Sequence, residues 1–377
     1  MAKGLRWFRS RSNGDANEEH DTTTTQASVA NSPVGSDPVR EEARANYELG
    51  VRYLRGQGVA QDFAKALRWF TTAADAELPE AQNNIGVMHR RGEGVETDLS
   101  AAVSWFQRAA DQGYAPAQYN LARRFHTGTG TKRDPDAAFI WYEKAAQQGN
   151  AGAQSRLAEC YFRGIGVEQN ANVGLKWLQD AAHKDYASAQ FNLGRVLANG
   201  IVASPDPETA IVWFEKAAKK GLDEAHFQLA MMTARGVGIE ADQVKATEHL
   251  RAAAEKNHAQ AQYALARALL HGRGVSPDPH EGLIWLERSA YSGNHRAQAR
   301  LAQVYIKGLS VAQDRPRGCA WLTLAAGQRP RRYLQTMRRL TDSLSPDENA
   351  QSISVLQELR RAFSTRGDGS EGNMRGA

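Results

Sequence analysis

Arginine, asparagine and tyrosine recur in this chain at a spacing that could build one recognition surface. Arg123, Arg195 and Arg267 stand at one phase of a repeating pattern, Asn84, Asn120, Arg156 and Asn192 at a second, and Tyr119 and Tyr263 at a third. A guanidinium can grip a carboxylate through two parallel bonds, a carboxamide can pair with an extended backbone, and a tyrosine adds rigid apolar area. That chemistry points to an acidic or extended peptide segment of a protein, held without bond making. No Ser/His/Asp or Cys/His set is recognisable from spacing, and no carboxylates pair in apolar surroundings. His89, His126, His226, His271, His280 and His295 are scattered with no metal-ligand pattern. The expectation is a non-enzymatic protein with no catalytic residue, no metal and no cofactor.

A surface of this kind needs elements that repeat in phase. Tryptophan falls at Trp69, Trp105, Trp141, Trp177, Trp213, Trp285 and Trp321, always 36 residues or a multiple apart, and His249 fills the one vacancy. A fixed period of this length means a stack of like supersecondary units. Eight units without insertions run from Ala45 as 45–80, 81–116, 117–152, 153–188, 189–224, 225–260, 261–296 and 297–332.

Each unit reads as two antiparallel helices. The first starts near an alanine such as Ala117 and carries an aliphatic followed by Gly or Ala, as in Leu49-Gly50, Ile85-Gly86 and Leu121-Ala122, where the small residue permits close helix approach. At roughly 100° per residue, its second, fifth and ninth positions share the core side, and its fourth, seventh and eleventh face the opposite way. The recognition residues fall on that second side. A glycine then ends the helix (Gly56, Gly92, Gly128 and their equivalents), and a second glycine two residues on tightens the loop except at Val202 and Ser310, whose loops should differ in shape. Asp62, Asp98, Asp134, Asn170, Asp206, Asp242, Asp278 and Asp314 read as N-caps of the second helix. Inside it, tryptophan fills the gap between helices and stacked units, beside paired alanines.

After Arg332 the period fails. Tyr333, Leu334, Met337, Leu340 and Leu344 keep helical spacing, and Ser345-Pro346-Asp347-Glu348 is a capping box opening a last helix, so 333–363 should cover the open end of the array. The segment 1–40 balances its basic and acidic residues, lacks apolar periodicity and is expected to be disordered, and 364–377 to be a flexible tail. Leu5, Trp7 and Phe8 beside arginines could touch a membrane surface weakly.

A formal net charge of +5 over 377 residues, with no dense Lys/Arg block, argues against nucleic acid as the partner. No apolar run is long enough for a membrane span. The two cysteines, Cys160 and Cys319, sit at unlike repeat positions where other units carry apolar residues; they read as buried hydrophobes, and the cytoplasm is the expected location.

The pattern A-x-x-x-L-G/A, G-x-G-V, D, small-x-x-W, A-A and G at this spacing resembles the Sel-1-like repeat, a relative of the tetratricopeptide repeat. The likeness covers about 45–332, and Leu344-Ser345-Pro346-Asp347 looks like the closing helix of bacterial members. The resemblance implies an all-α, right-handed α/α superhelical solenoid whose first helices line a concave groove. It also implies an adaptor or scaffold role, often in bacterial signalling or envelope processes, and no shared catalytic residue. The alternatives are a polysaccharide- or envelope-associated structural protein and a hydrolase.

Overall fold

The computed structural model describes residues 38–367, whose regular structure is eighteen α-helices with no strand. In order these are α1 (Pro38–Arg55), α2 (Phe63–Asp75), α3 (Pro79–Arg91), α4 (Leu99–Asp111), α5 (Ala115–Thr127), α6 (Pro135–Gln147), α7 (Ala151–Arg163), α8 (Ala171–His183) and α9 (Ala187–Asn199). There follow α10 (Pro207–Lys219), α11 (Asp223–Thr233), α12 (Gln243–Glu255), α13 (Ala259–His271), α14 (Pro279–Tyr291), α15 (His295–Lys307), α16 (Arg315–Gln328), α17 (Pro330–Asp342) and α18 (Pro346–Gly367). They divide into two compact units, one ending at Trp213 and one beginning at Phe214. Hairpins pair α1 with α2, α3 with α4, α5 with α6 and α7 with α8 in the first, and α11 with α12, α13 with α14 and α15 with α16 in the second.

The helices begin and end where the side chains dictate. All eight expected caps bond backbone N–H groups of the next turn; Asp98, for example, accepts from the amides of Ser100 and Ala101 at 3.0 and 2.9 Å, and Asn170 from that of Val173 at 3.1 Å. The first helices start about two residues before the alanines that mark the period, at Pro79 and Ala115 rather than Ala81 and Ala117. Ser310 holds φ at 63° where other units have glycine, so its loop keeps the turn that a side chain was expected to disturb, whereas Val202 is not at positive φ. The first helix starts at Pro38, inside the segment expected to be a tail; the last pair begins at Pro330 and runs to Gly367, past the expected 333–363. The rest of both expected tails, including Leu5, Trp7 and Phe8, lies outside the described residues.

The core departs from expectation in one respect. From Trp69 to Trp213 the indoles are only half-buried, and the fully buried side chain is the one after each: Phe70, Phe106, Tyr142, Leu178 and Phe214. This ring explains the small residue on the first helix, since a Cβ on Gly86 would lie 2.7 Å from the Phe106 ring and one on Gly50 equally close to Phe70. Trp105 instead packs on a cluster that its own repeat, through Ile85, shares with the preceding one, through Phe70, so this tryptophan joins neighbouring repeats. Trp285 and Trp321 are the buried exceptions. Cys160 and Cys319 are buried thiols, Cys160 with its pKa pushed up to about 12 by burial.

A buried glutamine series also ties neighbouring repeats together within each of the two units. Gln118, Gln154, Gln190, Gln262 and Gln298 each donate to the carbonyl of an alanine near the end of the preceding helix at 3.2–3.3 Å. Gln148 then donates to Gln118 Oε1 at 2.7 Å, and Gln112 to Gln82 Oε1 at 2.8 Å, which carries the chain of bonds to the end of the second helix of the same repeat. Where lysine replaces that second glutamine, Lys184 Nζ reaches the Gly149 carbonyl and Lys256 Nζ that of Gly221.

Candidate functional site

In the first unit the expected stripe is a polar layer, much of it sunk into the surface. Asn120, on α5, donates its Nδ2 to Asn83 Oδ1 on α3 at 2.9 Å, and Asn84 bonds the Tyr47 side chain. Both asparagines are buried, so the amides expected to await a peptide backbone are engaged by neighbouring repeats. Tyr119 is 1% exposed and packs on Tyr142 at 6.0 Å, so the contact area expected of it belongs to the core. Arg123 is 8% exposed with its guanidinium 5.8 Å from the Tyr119 ring centre. Arg156 is tied to Glu159 on its own helix at 3.2 Å, and Arg163 takes the other oxygen of that carboxylate. On α9, Asn192 and Arg195 are half-buried, and Arg195 lies 5.4 Å from the Phe191 ring.

In the second unit Arg267 is exposed and Tyr263 half-buried, with the guanidinium 5.9 Å from the ring. The three expected arginines therefore share one local arrangement: a cation over the aromatic ring one helical turn earlier. Stacking on a ring fixes the orientation of the flat guanidinium. The signal was legible as aromatic and arginine four residues apart. Glu159, which occupies Arg156, is one of the acids that the sequence offers as a partner for these arginines, whereas Asn83, which occupies Asn120, was not singled out by the pattern.

The sixth repeat is irregular in several ways that coincide. His226 stands where other repeats have the buried glutamine, His249 where they have tryptophan, and α11 has 11 residues where the corresponding helices of repeats two to five have 13. The two departures meet: His226 Nδ1 and His249 Nδ1 are 3.2 Å apart. His258 stacks on Phe227 at 4.7 Å and caps α13, its Nδ1 accepting from the Ala261 amide at 3.1 Å. One ring nitrogen of the pair must be bare to accept, and Nδ1 of the cap must be bare as well, so the arrangement requires a neutral imidazole at His258 and at one member of the pair.

All three rings have pKa values held below the ordinary histidine range, chiefly by burial. His249 and Lys256 add to the effect at His226; Asp223 opposes it there and at His258, and Glu215 and Glu248 oppose it at His249. The unfolded chain therefore binds these protons at a higher pH than the folded one. Their contribution is intact above the unfolded histidine pKa and is lost as pH falls through and below it. Lowering pH from 7.5 to 5.5 should reduce the Tm of the wild type by about 3 °C more than that of a His226→Gln/His249→Trp variant, which restores the side chains of the other repeats. Equal shifts in scanning calorimetry would remove the pair from the pH response.

Among the described residues no three histidine, cysteine or acidic side chains come together to hold a metal, and no helix is long and apolar enough to cross a membrane.

Known proteins share this architecture. The Sel1 repeat matches the chain at 43–78, 79–114, 115–150, 151–186, 187–222, 223–258, 259–294 and 295–329. A Sel1 repeat protein from Oxalobacter formigenes is 33% identical over 70% of this chain and 76% of its own, with a TM-score of 0.59. A uropathogenic Escherichia coli protective antigen of the same fold, c5321, is 27% identical over 89% of this chain and 88% of its own, with a TM-score of 0.39. No curated protein matches the sequence. Eight consecutive matches, starting two residues ahead of the alanine period as the helices do, place the chain in the Sel1 repeat family.

Proposed function

We propose that this chain is a non-enzymatic scaffold that binds an acidic or extended segment of a protein partner along its first helices, in bacterial signalling or envelope-linked regulation in the cytoplasm. Sel1 repeats form a scaffold of the tetratricopeptide type, typically for protein binding. The observation that supports the acidic ligand is the recurrence of one guanidinium-over-ring arrangement at Arg123, Arg195 and Arg267, in alternate repeats. A cation held by its own helix loses little further freedom on meeting a carboxylate, which favours binding.

The test uses Arg195 and Arg267, because reversing the charge of the more buried Arg123 could disturb the fold. The expected result is that the full-length Arg195→Glu/Arg267→Glu variant, with unchanged circular dichroism, loses at least tenfold in recovery of partners captured from the native extract. Full retention by the variant would exclude the stripe as the recognition surface.

A further inference from the structure

Helix α17 carries a second cationic surface, apart in sequence from the arginine stripe. On α17, Arg331, Arg332, Arg338 and Arg339 are exposed, while Tyr333, Met337 and Leu340 turn inward onto the core of the second unit. The helix contains no acidic residue before its final Asp342, and among the described residues none of the four arginines forms an ion pair. Arg332 rests 5.5 Å from the Tyr333 ring. Arg329 at the start of α17 and Arg296 on α15 extend the field. With Arg332 they add to burial in holding the pKa of His295 down, and His295 itself lies 3.2 Å from the Tyr333 hydroxyl.

From this surface we infer that α17 is a docking site for an acidic helix of another protein, one that presents pairs of carboxylates seven residues apart. The spacing carries the argument. The two arginine pairs are seven residues apart on α17, roughly 10.5 Å along the axis, and side chains seven apart on a partner helix recur at the same distance on one face. Every cation is arginine, whose fork matches a carboxylate in a way that lysine does not. The inference rests on the protein-binding reading above, but it concerns a different surface.

Other occupants fit less well. A second copy would bring the same positive face against itself. A membrane surface needs apolar side chains to insert, and those of α17 are committed to the core. Nucleic acid affinity grows with the number of phosphates neutralised, and four arginines on a chain of net charge +5 offer a small total.

The probe is a synthetic helix of three seven-residue blocks with one adjacent glutamate pair per block, compared with an isomer of equal charge and helicity whose pairs are five residues apart. Fluorescence anisotropy with the full-length chain at low salt should give at least tenfold tighter binding of the seven-residue form. Arg331→Gln/Arg332→Gln/Arg338→Gln/Arg339→Gln, which touches only exposed side chains, should abolish that preference. Arg195→Glu/Arg267→Glu should leave it intact, and that separates this surface from the stripe. Equal affinity for the two peptides would overturn the proposal. So would retention of binding by the glutamine variant, or equally tight binding of a short DNA duplex or of phosphatidylserine vesicles.

Discussion

Replacing Phe106 with alanine is expected to destabilise the first unit by about 4 kcal/mol, and replacing its neighbour Trp105 by roughly half as much. The order inverts what the sequence period suggests, since tryptophan is the residue that repeats and the residue after it varies among Phe, Tyr and Leu. Phe106 is 1% exposed, within a cluster of Val87, Ala102, Ala109, Ala110, Ala117 and Leu121. Removing the ring leaves a cavity bounded by two helices that cannot collapse, because the Gly86 position already brings them to contact distance. Trp105 is half-buried against the cluster that its repeat shares with the preceding one, with Arg108 lying 4.9 Å from its ring, so its loss opens no enclosed void. Urea titration of the two variants, supported by amide exchange in α4 and α5, measures the difference; a larger loss for Trp105→Ala would mean that joining repeats matters more than filling each one.

The period, the turn glycines and the eight caps were legible because each is a local demand of the backbone. A carboxylate before a helix or a glycine at positive φ is needed whatever the chain packs against. The residue after tryptophan was missed for the opposite reason. Its role depends on the face it presents to the neighbouring helix, and identity is free to vary as long as the volume is filled, so no repeated letter marks it. The glutamine at the second position did repeat, and its position was read as core, but its bonds run to a carbonyl of the preceding repeat and to a side chain at the far end of its own repeat. Contacts across that distance leave no trace in local spacing.

The candidate site was legible in part for the same reasons. The arginines at 123, 195 and 267 and the aromatics one turn earlier form i,i+4 pairs that a sequence displays directly. The burial of Tyr119, Asn84 and Asn120 was not displayed, since helical periodicity assigns a side to each residue and not the depth of the layer that meets it. Asn83 is the instructive residue: it stands where five of the other repeats carry an aromatic ring, and its side-chain oxygen receives Asn120 from the next repeat. His249 was visible as a departure from the pattern, whereas His226 was read only as one of the scattered histidines. Only the structure joins them, because they come from different helices of one hairpin.

Substituting Gly130 with alanine should destabilise the first unit by about 3 kcal/mol or more, and the same change at Gly113 by about 1 kcal/mol. Both residues hold positive φ, 77° at Gly130 and 85° at Gly113, so both variants carry the strain of a side chain in the left-handed region. They differ in what a Cβ would meet. At Gly113 nothing lies within 4 Å, whereas at Gly130 the new carbon would press on the carbonyl of Leu99, the first residue of α4 in the preceding repeat. Gly94 and Gly166 make the corresponding approach to Phe63 and Pro135, so the second glycine of the loop sets how closely a repeat seats on the start of its predecessor's second helix. Ser310 holds a comparable φ with a side chain, which marks the carbonyl contact, and not the dihedral, as the larger part of the penalty at Gly130. Backbone cannot rotate away as a lysine tip can, so the seam between the two repeats must open. Amide exchange should then quicken at the start of α4 and in the loop after α5 in Gly130→Ala, and stay near wild type at those places in Gly113→Ala. Matching losses of stability in the two variants would show that strain in φ alone sets the cost and that the repeats can part slightly without penalty.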